Sequence, residues 1–156
     1  MARLDRLGQA KQVIQLGAVI GNNFSYELLR AVDPIVPIVE EDLRLALHKL
    51  AEAELLYVHG IAPDSSYQFK HAMIRDAAYQ ALLKSQRMEL HCRVTRTINE
   101  KFPAIKEARP EVLARHWTEA DETESAIVAL SARLLPRMTV RRDLLSKRSD
   151  HKMRRA

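Results

Sequence analysis

Apolar residues return at a helical period along residues 2–20. Leu4, Leu7, Ile14, Leu16 and Ala18, with Val13, Gly17 and Ile20 filling the neighbouring rows, predict a helix with a broad buried stripe. GNN at 21–23 stops it. Ser25 is placed to cap a short helix, YELLRAV, which ends at Asp33-Pro34 because a residue before proline is pushed out of the α region. Pro37 opens a third helix over residues 38–54, with Val39, Leu43, Leu47, Leu50 and Ala51 on one face. Its first turn holds Glu40, Glu41 and Asp42, where the helix dipole favours negative charge. Two β-prone runs, LLYV and SYQFK, flank the turn-rich HGIAPDSS and predict a hairpin. Helix resumes near Met73 and breaks at about Lys84-Ser85. Leu90, Val94, Ile98 and Phe102, spaced by four, then carry a helix to Pro103. Pro110 opens PEVLARHWTEA, and SAIVALSARLL is expected to fold back as its antiparallel partner.

Three helices followed by a hairpin are the order of a winged-helix domain. The expected fold is mainly α with one small β-hairpin: a winged-helix domain over residues 1–84, helices over 85–131 leading into an array like the tetratricopeptide repeat, and an irregular or disordered basic tail over 132–156. Trp117, beside the small residues Ala114 and Ala120, is the expected anchor where helices pack large into small.

Composition narrows the class. With 47% hydrophobic and 29% charged residues the chain is globular in character, and no apolar run approaches the roughly 20 residues of a membrane span. The first residues lack the apolar core of a secretory leader, so a cytoplasmic location is expected. A single cysteine, Cys92, permits neither an internal disulfide nor a thiolate cluster for zinc. The net charge of +5 is uneven: residues 132–156 carry nine Lys/Arg and two Asp, a net of +7, which leaves −2 for residues 1–131. Nonspecific phosphate binding, if any, therefore belongs to the tail.

No phosphate-cradling GxxxxGK loop, nucleophile elbow, paired metal-binding histidines or calcium loop occurs, so no catalytic residue, metal or cofactor is assigned to this chain. His116 and Glu119 have a three-residue spacing used by some metal sites, but the pair lacks further ligands. A winged helix invites comparison with DNA-binding regulators. Here the third helix sets Glu40, Glu41, Asp42, Glu52 and Glu54 against Arg44 and Lys49, which repels phosphate and makes a small DNA-binding transcriptional regulator the alternative reading. The stretch YQFKHAMIRDAAYQALLKSQRMELH, residues 67–91, carries the chemistry of most interest. His71 stands where strand passes into helix, beside Lys70, and can either bond local backbone or offer a donor to an anion. Asp76 follows in the first turn and could favour the dipole or fix the histidine.

This stretch, together with ARLDRLGQAKQVIQLGAVIGNNFSYELLRAV and LHKLAEAELLY, resembles the region after the nucleotide-binding core of bacterial signal-transducing ATPases of the STAND class. The similarity is greatest to those joined to class III adenylate or guanylate cyclase domains and tetratricopeptide repeats; LARHWTEAD resembles the first repeat helix, and the likeness covers roughly residues 2–130. It implies a regulatory winged helix that packs on an ATPase core, in cis or in trans, and binds other proteins through its repeats. It also implies that His71, at the histidine of a Met-His-Asp-like motif, contacts the β-phosphate of ADP. Ala72 replaces the aspartate that would follow. The family's P-loop core does not precede Met1, and beyond about Ser131 the repeat pattern gives way to the basic tail. The expectation is a truncated or frameshifted piece of a longer parent, with an independent small regulator as the rival.

Overall fold

The computed structural model describes residues 8–32, 38–61 and 63–121, which are mainly helical with a small antiparallel sheet. The elements are α1 (Gln9–Ile20), β1 (Asn23–Ser25), α2 (Tyr26–Ala31), α3 (Glu40–Glu52), β2 (Leu56–His59), β3 (Ser66–Phe69), α4 (Ala72–Gln80), α5 (Lys84–Lys101), α6 (Pro103–Ala108) and α7 (Pro110–Glu119). Through β3 this is winged-helix order. The expected helical residues 2–7, the helix SAIVALSARLL and the tail 132–156 lie outside the described residues.

The stripe read on the first helix is the heart of the core. Val13, Ile14 and Val19 are buried, and α1 packs on α3, α4 and α5. Gly17 makes room there: a Cβ would stand 2.7 Å from Cε1 of Phe24, so any other residue would have to push the β1 aromatic ring off the helix.

Residues 21–23 do more than stop the helix. Asn23–Ser25 form a third strand, giving the sheet order β1–β3–β2 with Phe24 opposite Tyr67 and Leu56 opposite Phe69. Phe24 stacks on Tyr67 at 5.7 Å between ring centres, which turns the sheet's inner face into an aromatic floor. A three-residue strand holds too short an alternation to stand out, so the sequence yields only the hairpin. Gly60 adopts φ 82° in that hairpin, and a Cβ would meet the Asp64 carbonyl at 2.9 Å.

Local capping explains the helix boundaries. Ser25 Oγ accepts from the Leu28 N–H at 3.2 Å, as its position predicts. The break between α4 and α5 falls at residues 81–83 rather than 84–85, because Gln86 Oε1 accepts from the Leu83 N–H at 3.1 Å and lets α5 begin already at Lys84. Pro103 ends α5 as expected but also begins the short α6, where its missing N–H is harmless. One core runs across residue 84: Leu90, Val94 and Ile98 of α5 and Leu113 of α7 belong to the same buried cluster as the α1 side chains.

Candidate functional site

His71 caps α4 with extended backbone, φ −138° and ψ 138°, and its side chain makes no bond to the helix it opens. The residue is exposed, as are Ala72 and Met73, the latter 82% accessible. Its sequence neighbours are engaged elsewhere. Lys70 Nζ pairs with Glu54 at 3.1 Å and sits 5.6 Å from the centre of the Tyr57 ring. Asp76 falls not in the first turn of α4, as expected, but in the second, because the helix already begins at Ala72; it accepts from Arg75 Nη2 at 2.7 Å and Nε at 3.0 Å, so its carboxylate is held by its neighbour in the chain.

On α3, Glu40 gathers Arg44 at 2.8 Å and Arg30 at 3.2 Å. That ion pairing occupies cations a DNA-binding helix would turn toward phosphate.

A second polar constellation lies where α4, α5 and α7 meet. Nδ1 of His91 and Nδ1 of His116 are 2.7 Å apart, and both residues are buried, at 2% and 0% accessibility. Nε2 of His91 is 3.0 Å from the Tyr79 hydroxyl, which lies 3.3 Å from Glu119 Oε2. A carboxylate only accepts, so the Tyr79 hydroxyl donates to Glu119 and accepts a hydrogen bond from His91 Nε2–H. Nδ1 of His91 is then bare and accepts from His116 Nδ1–H. This arrangement leaves His116 Nε2 as a bare acceptor, and that atom is buried with no hydrogen-bond partner. The reverse tautomers would have the Tyr79 hydroxyl donate to His91 and so break the Tyr79–Glu119 bond.

Burial holds both imidazoles neutral. It pulls His91 down to about 4, helped by Arg115 and Arg87 and opposed by Glu119. It pulls His116 to about 3, reinforced by His91 and Arg115 and opposed by the Ile20 carbonyl. That carbonyl receives its hydrogen bond from Arg115 Nη2 at 3.1 Å, which ties α7 to the end of α1. Burial and the Glu119 charge also raise the Tyr79 phenol. The chain of bonds can hold and orient protons, but it contains no nucleophilic serine or cysteine. Among the described residues no group of three His, Cys, Asp or Glu is arranged to hold a metal ion.

Trp117 is half-buried at the edge of the core, whereas its neighbour His116 occupies the inner position. His91, Tyr79 and Arg115 escape sequence reasoning because contacts between separate helices, such as His91 with His116 25 positions on, obey no spacing rule. The detectable sign is a histidine inside the apolar row of PEVLARHWTEA. Cys92, next to His91, is partly buried and carries a free thiol.

No family model matches the chain, and no solved structure gives a significant match. Among curated proteins the chain is similar to the uncharacterized protein R02095 of Rhizobium meliloti (strain 1021), with 30% identity over 126 residues. The alignment takes in 81% of this chain and 12% of that protein, so the chain spans a small part of its relative's length.

Proposed function

We propose that the chain is a non-catalytic regulatory and interaction module, part of a larger cytoplasmic signalling ATPase. Its winged helix would pack on a nucleotide-binding core, and His71 would sense ADP held by that core. The observation that carries this reading is the state of His71: an exposed imidazole at a strand-to-helix junction, without a bond to its own helix. The accessible Met73 beside it supports the same reading by supplying an apolar contact for a docking partner. The chain's likeness to a short part of a much longer bacterial protein agrees with a module role. No helix among the described residues is long and apolar enough to cross a membrane.

A residue that contacts one nucleotide state better than the other shifts the balance between them. Loss of a charge-assisted hydrogen bond of about 1.5–3 kcal/mol changes the populations roughly tenfold or more. In a full-length protein bearing this segment, His71→Ala shortens ADP retention and raises basal output. Unchanged retention and output would remove the reading. Fluorescence anisotropy with duplex DNA tests the alternative, which requires salt-dependent binding that survives deletion of residues 132–156.

A further inference from the structure

The edge of the sheet on the β1 side is open. Phe69 N–H donates to the Asn22 carbonyl at 3.1 Å and Tyr26 N–H to the Ser65 carbonyl at 2.9 Å. In the antiparallel register of β1 and β3, residues 22, 24 and 26 therefore turn their backbone groups toward β3. The N–H and C=O of Asn23 and the N–H of Ser25 point the other way, and no described residue bonds them. They border a groove of about 720 Å³ whose far side is formed by α6 and α7, with Ile105 and Val112 on its wall. Three charged side chains line it: Arg109, Glu111 and Arg115, a net of one positive charge. Arg109 and Arg115 are both exposed, and Arg115 uses Nη2 on the Ile20 carbonyl while keeping its other donors for a ligand.

We propose that this groove receives an extended segment of a partner protein, which adds to β1 as a further strand and directs one acidic side chain at Arg109 and Arg115. Extended backbone is required because a helix satisfies its own amides and has none to exchange with Asn23. Alternate side chains of the added strand would rest on Ile105 and Val112, and the net positive wall selects for a carboxylate. The inference does not depend on His71, and each can fail without the other.

The test is amide hydrogen exchange on the ¹⁵N-labelled full chain, with a blocked heptapeptide that alternates valine and threonine around a central aspartate. In the free chain the Asn23 and Ser25 amides exchange fast; saturating peptide slows them about tenfold or more, as a new ladder requires. The same peptide N-methylated at every amide gives no protection. Arg109→Gln, at an exposed position, weakens binding several-fold while leaving the fold intact. Slow exchange at Asn23 and Ser25 before any peptide is added would show the edge already covered by the chain itself and overturn the proposal. So would the absence of saturable protection at millimolar peptide, or equal protection by the methylated form. Unaltered affinity in the Arg109 variant would overturn the acidic specificity.

Discussion

His91 and His116 face each other Nδ1 to Nδ1 at 2.7 Å, closing α7 onto α5 through two rings that burial keeps uncharged near neutral pH. In the unfolded chain each histidine titrates near 6.5. Folded values of about 4 and about 3 mean that between these and pH 6.5 the folded state binds fewer protons than the unfolded one. The stability from neutral burial is therefore complete above pH 6.5 and is lost as pH falls toward 4. The slope reaches up to about 1.4 kcal/mol per pH unit for each ring. Urea midpoints at pH 7.5, 6 and 5 should decline, and a His116→Asn variant should begin lower but decline less. Equal slopes for the two proteins would contradict the assignment.

Tyr79 is the link between the buried pair and Glu119. Tyr79→Phe keeps the ring but leaves His91 Nε2–H without its acceptor, at a cost of about 1–2 kcal/mol near neutral pH. Glu119→Gln, whose side chain is exposed, should cost less. Chemical denaturation of the two variants gives the ranking, and the reverse order would refute the direction of bonding derived above.

The fit of Phe24 against Gly17 makes a usually favourable helix substitution harmful. Gly17→Ala gains about 1 kcal/mol of helix propensity but puts a Cβ 2.7 Å from the ring, and such crowding costs about 1–3 kcal/mol. The expected balance is a lower thermal midpoint. Adding Phe24→Leu should recover part of it, because the two changes share one contact. A gain in stability from Gly17→Ala alone would show that the ring yields.

Ser25 ends β1 and caps α2 with one side-chain oxygen. Ser25→Ala should destabilise by about 1 kcal/mol, whereas Ser25→Asp should be close to neutral. Thermal melts of the two variants decide the matter, since loss of a strand residue alone would affect both equally.

Periodicity and proline placement made most of the helices legible, because α1, α3, α5 and α7 each bury one continuous face of their own sequence. Ser25 was legible as a cap for the same local reason. β1 was not, since three residues hold too little alternation to announce a strand. Pro103 reads as a stop, and only the chain's return onto α5 shows that it also starts α6. At the site, His71 could be placed at its junction from sequence, but the attachment of Asp76 to Arg75 depends on which rotamers meet. The His91–His116 contact needs two helices docked in three dimensions, which no window of sequence contains.

The bond from Arg115 to the Ile20 carbonyl spans 95 positions of the chain. During synthesis the amino-terminal part folds first, so a chain that has emerged only as far as Lys101 can close its sheet and bury α1. At that moment the last turn of α1 still has its Ile20 carbonyl open to water, and Nδ1 of His91 still lacks its partner on α7. Arrival of α7 completes both at once, so that the last helix of the described residues finishes the first.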